Sequence, residues 1–585
     1  MRLNLVATKN SMNEPLLQIK NLSIDFNTTH VVNQISFALQ QGETLGIVGE
    51  SGSGKSVTGL SIMQLLAANG KISSGEILFQ TTKNETVDLL KLQENEIRKV
   101  RGKEIAMIFQ EPMTSLNPVF TCGEQIAETI ILHHHLSKKE AKEKTVEWLD
   151  KVKLPNPEAT FNKYPHQLSG GQKQRVMIAM AMCCHPQLII ADEPTTALDV
   201  TVQKTILELM HELQLQNNSS LIFISHDLGV IAEIADKVVV MQQGKIVEQG
   251  NVAEIFESPK HPYTKGLLAC RPPLNKRLKR LPIIGDFIEN ENKSEINTRV
   301  SNEFSIAEID EKLKSLEQQK NILEVKNLTV QFPSKKNFLG QPTEFLNAVD
   351  NIGFQVRQGE TLGLVGESGC GKTTLGKTIL RLNQPADGEI LFDGKNIFDL
   401  YGADLMDFRK RMQIIFQDPY SSLNPRMTIG TAIQEPMQVH SIYSNQKEQQ
   451  EKVMELLEKV NLKPEHYYRY PHEFSGGQRQ RIVIARALAV QPEFIVCDEC
   501  VSALDVSVQA QVLNLLTDLR NEFGFSYLFI SHDLSVVNFM SDKIMVMNKG
   551  EIEELNVAAE ILKNPQSNYT KKLIDAIPKG KFNFT

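Results

Sequence analysis

Two short runs of this chain carry the residue types that grip phosphate. Gly49-x-x-x-x-Gly54-Lys55-Ser56 and Gly366-x-x-x-x-Gly371-Lys372-Thr373 have the spacing of a phosphate-binding loop. Gly49, Ser51, Gly52 and Gly54 in the first run, and Gly366, Ser368, Gly369 and Gly371 in the second, let backbone N–H groups turn toward phosphate oxygens. A helix opening at Lys55-Ser56-Val57, or at Lys372-Thr373-Thr374, points its positive end at the same anion. The lysine reaches the terminal phosphates and the Ser or Thr hydroxyl faces Mg²⁺. Such loops predict nucleotide binding, with Mg²⁺ beside the phosphates.

Two acidic pairs complete the chemistry. The apolar run Leu188–Ala191 ends in Asp192-Glu193, and Phe494–Cys497 ends in Asp498-Glu499. An acid at the carboxyl end of a buried strand lies where ligands bind in parallel sheets. The first acid suits Mg²⁺ and the second can polarise an attacking water, which makes Glu193 and Glu499 the candidate bases.

These residues need scaffolds, and the chain supplies the same one twice. GETLGIVGESGSGKS at Gly42 returns as GETLGLVGESGCGKT at Gly359, an offset of 317. IFQEPMTSLNP returns as IFQDPYSSLNP at an offset of 307, and YPHQLSGGQKQR as YPHEFSGGQRQR at 306. One domain of about 260 residues has been duplicated, its length changes confined to the early part. Each copy alternates short apolar strands with helical patterns, which predicts an α/β fold with a mostly parallel core sheet. A helical insertion precedes the SGGQ segment, where Val453, Leu456, Leu457 and Val460 fall on one helix face. The expected division is 14–270, a linker over 271–320, and 321–580. The linker opens with the basic, Pro-broken RPPLNKRLKRLP, read as solvated, and has one short helix near IAEIDEKLKSLEQQ.

Composition narrows the class. A chain of 585 residues exceeds one hydrophobic core, and 41% hydrophobic with 23% charged residues is ordinary for globular protein. A net charge of -7 argues against life on nucleic-acid phosphates. No apolar run reaches the roughly 18 residues of a membrane span, and no secretory signal opens the chain. A soluble protein is expected, with any membrane part on another chain. Seven cysteines make no disulfide framework, and the Cys497-Asp-Glu-Cys500 spacing lacks the second pair that a zinc site needs.

Phosphate loop, acid pair and SGGQ together resemble the ATP-binding-cassette (ABC) family over nearly the whole chain. The resemblance implies two P-loop ATPase domains, each with an antiparallel β subdomain and a helical subdomain, packed head to tail around ATP. Lys55 would then share a site with Ser475, Gly476, Gly477 and Gln478, and Lys372 with Ser169, Gly170, Gly171 and Gln172. It also implies that Gln110 and Gln417 sense Mg²⁺ and the attacking water, that His226 and His532 lie near the γ-phosphate, and that Phe26 and Phe332 stack on adenine. Asp199 and Asp505 fall at the loop between partners. Copy two departs in having Cys500 where copy one has Pro194, a change expected to be tolerated.

Within the family, QEPMTSLNP, QDPYSSLNP and the tail SPKHPYTKGLL resemble the ATPases of dipeptide/oligopeptide importers, which include nickel and glutathione importers. The second tail reads NPQSNYTKKLI and keeps only Tyr569 and Thr570 of the HPYT element. The implied activity is ATP hydrolysis coupled to import of a small solute. The implied partners are two membrane permease subunits and an extracytoplasmic substrate-binding protein, with the chain peripheral on the cytoplasmic face of the inner membrane. The rival readings are a soluble tandem cassette protein acting on ribosomes, or an exporter ATPase. Cys270 alone makes no iron–sulfur cluster.

Overall fold

A computed structural model describes residues 14–196, 198–288, 303–337 and 342–578. Much of the polar stretch between Ile288 and Glu303, read as linker, lies outside the described residues. Contacts divide the chain into two compact units that part between Lys265 and Gly266.

Among the described residues the first unit holds ten strands: β1 Leu17–Phe26, β2 Thr29–Leu39, β3 Thr44–Val48, β4 Gly70–Gln80, β5 Thr86–Asp88, β6 Ile105–Ile108, β7 Leu188–Asp192, β8 Ser220–Ile224, β9 Lys237–Gln242 and β10 Lys245–Asn251. Six form a sheet in the order β10-β9-β3-β8-β7-β6, parallel except for β10 on β9. Strands β3, β7 and β8 are buried at every residue, as their unbroken apolar runs require when both faces of a parallel sheet are covered. The remaining four make an antiparallel sheet, β2-β1-β4-β5. Its alternating inward residues, such as Leu17, Ile19, Ile77 and Phe79, share one core with Ile47, Ile190 and Ile222 of the parallel sheet. The helices Cys122–His134, Lys138–Lys151 and Gly170–Met182 form the insertion. Each opens on a capping box, headed by Thr121, Ser137 and Ser169, which fixes where it starts.

The second unit repeats the plan with β11 Asn321–Lys336, β12 Pro342–Arg357, β13 Thr361–Val365, β14 Asp387–Phe392, β15 Lys395–Asn396, β16 Met412–Ile415, β17 Phe494–Asp498, β18 Ser526–Ile530, β19 Lys543–Asn548 and β20 Glu551–Val557. The orders are β16-β17-β18-β13-β19-β20 and β12-β11-β14-β15. Val453 and Leu457, on the helix Gln446–Lys459, are fully buried as their spacing predicts. The α/β reading, with its antiparallel and helical subdomains, holds in both copies. Among the described residues no helix is long and apolar enough to cross a membrane.

The basic run after the first tail is not a solvated linker. Leu281 is buried, and its peptide is gripped on both sides by Asn514, whose Oδ1 accepts from Leu281 N and whose Nδ2 donates to Leu281 O, each at 2.9 Å. Arg277 and, from the helix Ile306–Glu317, Lys312 converge with Arg520 on the buried Asp542 carboxylate. The leucines between the basic residues supply the apolar contact, the buried Asp542 pairs with Arg277, and Lys276, Lys279 and Arg280 pair with Glu303, Glu308 and Asp518 nearer the surface.

Candidate active site

The phosphate loops sit where β3 and β13 leave the sheets. A Cβ on Gly49 would fall 2.2 Å from the Met241 carbonyl oxygen, and one on Gly366 2.1 Å from that of Met547, so only glycine lets the loop pass. Gly54 and Gly371 turn into the following helices with φ of 98° and 108°. Lys55 Nζ donates to the carbonyls of Gly49 and Glu50 at 2.7 and 2.8 Å; Lys372 does the same to Gly366 and Glu367 at 2.7 and 2.9 Å. Both ammonium groups are thereby held inside the curl of their own loops. Ser51, Gly52, Ser368 and Gly369 form the exposed crest, and Val57 and Thr374 lie in the first helical turn.

Each acid pair meets its loop. The Ser56 hydroxyl donates to Asp192 Oδ1 at 2.9 Å, and that of Thr373 to Asp498 Oδ1 at 3.0 Å. Burial pushes both aspartates above the usual carboxylate range, the hydroxyls notwithstanding, with the neighbouring glutamates adding to the push. A hydroxyl and a carboxylate pointed together in this way, each with a lysine nearby, form an oxygen-donor set of the kind Mg²⁺ takes when phosphates supply its other ligands.

The next residue breaks from the strand. Glu193 and Glu499 both have φ of 48°, in the left-handed region that non-glycine residues seldom occupy. The turn is held by hydrogen bonds from their N–H groups to the Ile224 and Ile530 carbonyls, at 2.9 and 3.0 Å. It swings each glutamate toward the glutamine and histidine of its own unit. Gln110 Nε2 donates to Glu193 Oε2 at 3.0 Å, and Gln417 Nε2 to Glu499 Oε2 at 3.0 Å. His226 Nδ1 lies 3.3 Å from Glu193 Oε2, and His532 Nδ1 3.6 Å from Glu499 Oε2. Burial would raise both glutamates, but the adjoining histidines outweigh it and hold them below the usual range. In turn Glu499, against the cost of burial, raises His532. The result is an ionised carboxylate fixed between an amide and an imidazole, the arrangement that orients a water and takes its proton.

Thr196 was not foreseen. Its hydroxyl donates to Glu193 Oε2 at 2.9 Å, whereas that of Ser502, its counterpart, turns to the Glu499 backbone carbonyl at 2.9 Å. The only sequence signal was a hydroxyl residue three positions after each glutamate.

The SGGQ segments open helices as expected, Ser169 capping Gly170–Met182 and Ser475 capping Gly476–Leu488, with Gln172 and Gln478 closing the boxes. Their two glycines differ in purpose. A Cβ on Gly476 would meet nothing within 4 Å and one on Gly170 only the Leu198 side chain at 3.9 Å, which leaves their amides clear for an anion. A Cβ on Gly171 or Gly477 would instead strike Val202 or Val508 at 2.7 and 2.2 Å, so the second glycine is required by helix packing. The aromatic pair differs as well. Phe332 is 43% exposed at the end of its sheet, while Phe26 packs against the core with its ring over Gly70. Beside Gln110, an open groove is lined by Leu60, Phe109, Glu111, Thr114, Ser115 and Asp192. All seven cysteines are free and buried, and burial raises the Cys497 thiol, so the Cys497/Cys500 pair is core.

Comparison with known proteins shows the family. Residues 32–196 and 349–502 match the family described as ABC transporter. Residues 247–295 and 554–583 match the one described as oligopeptide/dipeptide transporter, C-terminal region, so the second tail is recognisable despite its divergence. The chain is 47% identical over 569 residues to the glutathione import ATP-binding protein GsiA of Pectobacterium atrosepticum, covering 96% of this chain and 89% of that one. It is 49% identical over 577 residues to the protein of the same name from Escherichia coli K12, with the same coverage. A solved dimeric ATP-binding cassette in a post-hydrolysis state, bound to ADP and Pi, is 28% identical and aligns over 40% of this chain and 98% of its own, with a TM-score of 0.37.

Proposed function

We propose, on the premise that the chain belongs to the ABC transporter family, a specific division of labour among its residues. The chain is the ATP-hydrolysing subunit of an importer in the peptide/nickel/glutathione subfamily, with both cassettes in one polypeptide. Its solute is a peptide or a glutathione-like molecule. The observation that carries the finer reading is the duplicated Gln–Glu–His cluster beside each phosphate loop.

In each cassette the loop amides and lysine hold the ATP phosphates, and Phe26 or Phe332 lies under the adenine. Ser56 with Asp192, and Thr373 with Asp498, are the residues that would hold Mg²⁺, joined by Gln110 and Gln417. When bound, the ion neutralises charge on the terminal phosphates. Glu193 and Glu499 position a water and accept its proton, while His226 and His532 face the γ-phosphate. Ser169, Gly170 and Ser475, Gly476 contribute capped helix ends with unobstructed amides, which would close on the nucleotide of the opposite cassette. The cassettes span 14–270 and 321–580.

The groove beside Gln110 suits a helix of a permease subunit, and the matching segment at Gln417 in the second copy would meet a second one. The working complex therefore has two permeases, a substrate-binding protein on the far side, and this chain at the cytoplasmic face of the inner membrane. Affinity purification of the chain from membranes tests the reading. Two integral permeases should co-purify, and solute-loaded binding protein should stimulate Mg²⁺-dependent ATP turnover in the reconstituted complex. Ribosomes in place of permeases would overturn it.

A further inference from the structure

The tail element of this chain has no role in the chemistry above, yet its two copies make the same contact with the phosphate loops. In the first unit, Glu248 of β10 catches the segment leading into the tail helix Pro262–Ala269. Its Oε1 accepts from Lys260 N at 2.7 Å and its Oε2 from His261 N at 3.1 Å. In the second unit Glu554 of β20 accepts from Gln566 N and Ser567 N, at 3.0 and 3.1 Å, ahead of the helix Asn568–Asp575. The capture works on backbone N–H groups, so KHP and QSN serve equally.

Each helix then carries a tyrosine to the loop. The Tyr263 hydroxyl accepts from Glu50 N at 3.1 Å with the side chain fully buried, and that of Tyr569 accepts from Glu367 N at 3.1 Å. Glu50 and Glu367 are the residues whose carbonyls hold Lys55 and Lys372, at 2.8 and 2.9 Å. One residue of each loop is thus pinned by tyrosine at its N–H and faces the catalytic lysine with its C=O. Tyr569 and Thr570 are the only parts of the HPYT element left in the second tail, and Tyr569 is the part that makes this contact.

We propose that Tyr263 and Tyr569 are positioning residues that fix the phosphate loops, and through them the lysines, so that docking of each tail helix is coupled to nucleotide affinity at its own cassette. The inference rests on the nucleotide-site reading above. The Glu50 N–H shares one planar peptide group with the Gly49 carbonyl, and the Glu367 N–H with that of Gly366, and both carbonyls accept from their lysines at 2.7 Å. A peptide group anchored at its N–H cannot rotate freely, so its carbonyl presents the lysine ammonium in one place. Coupling of this kind is reciprocal: the docked tail favours nucleotide, and nucleotide favours the docked tail.

Tyr263→Phe and Tyr569→Phe keep the ring and remove the hydroxyl. Equilibrium binding of a fluorescent ATP analogue to the full chain, with steady-state ATPase assays alongside, tests the proposal. Loss of one such hydrogen bond should weaken binding about three- to tenfold in each single variant. The rate at saturating ATP should change less than twofold, so the effect falls on KM and not on kcat. Leu573→Ala, which removes a buried apolar group from the second tail helix, should lower the melting temperature at least as much as Tyr569→Phe and weaken binding less. Phe variants that bind as the wild type does, whatever their melting temperatures, would overturn the inference. A wild-type chain that neither binds nor hydrolyses ATP would overturn the underlying function reading instead.

Discussion

Glu193 and Glu499 occupy equivalent places, share a φ of 48° and each face a glutamine and a histidine of their own unit, yet their surroundings differ by one hydroxyl. Asp236 and Asp542 form a second such pair. Each precedes an equivalent strand and accepts from the backbone N–H of the residue opening another, Thr44 at 2.8 Å and Thr361 at 3.0 Å. Asp236 is exposed, whereas Asp542 is buried under Arg277, Lys312 and Arg520. Duplication has kept the reacting groups alike in the two cassettes and let what lies around them drift. In the second copy the aspartate held by the sheet is also the buried counter-charge of Arg277 and Lys312 from the linker.

The sharpest way to break the likeness of the sites is to remove one base at a time. Glu193→Gln and Glu499→Gln keep the hydrogen-bonding shape and abolish the charge. Each should lower steady-state ATP turnover of the chain by about 10²–10⁴ while leaving nucleotide binding intact. If either variant hydrolyses ATP at the wild-type rate, that glutamate is not the base. A loss of only half would mean that the cassettes fire independently.

The second test concerns the buried aspartate. Removing the charge from Asp542 leaves three cations around a neutral amide, and breaking a buried ion cluster in this way costs about 3–5 kcal/mol. Asp236→Asn, at an exposed site, should cost less than about 1 kcal/mol. Differential scanning calorimetry with the domain transitions resolved would check both. Burial pushes the Asp542 carboxyl up, but Lys312, Arg520 and Arg277 together hold it well below the usual carboxylate range. Its contribution is therefore complete above the ordinary carboxylate pKa of about 4 and is lost as the pH falls below that. Acid should weaken the second cassette through this group, and Asp542→Asn should flatten the dependence. Equal losses from the two aspartate variants would show that the linker contacts carry no stability.

These contrasts also mark what could be read without coordinates. The phosphate loops, the acid pairs and the capped SGGQ helices were legible because each is a local pattern whose chemistry depends on neighbours a few residues away. The α/β architecture was legible for a similar reason, since fully apolar runs such as Leu188–Ala191 suit only a sheet covered on both faces. Gly171 was half legible: its lack of a side chain was evident, but Val202, the reason for it, belongs to another helix. The basic linker was misread because its partner, Asp542, lies 265 residues after Arg277 and no local pattern joins the two. Thr196 and Ser502 read alike, and only the direction in which each hydroxyl turns separates them.

That direction permits the finest test. The Thr196 hydroxyl lies on the same Glu193 oxygen that receives Gln110, so it restrains the carboxylate and draws off part of its negative charge. Ser502, bonded to a backbone carbonyl, does neither for Glu499. Replacing Thr196 by valine keeps the volume and removes the bond, and with Gln110 still on the same oxygen the loss is that of a typical net hydrogen bond, about 0.5–1.5 kcal/mol or a few-fold in rate. Thr196→Val should lower steady-state turnover about three- to fivefold, and Ser502→Ala should change it less than twofold. If the cassettes fired independently, even a dead first site would leave half of the activity, so a threefold loss is evidence that both must act in each cycle. An unchanged rate in Thr196→Val would mean that Gln110 and His226 alone set the carboxylate, making the two sites equivalent despite their different hydroxyls.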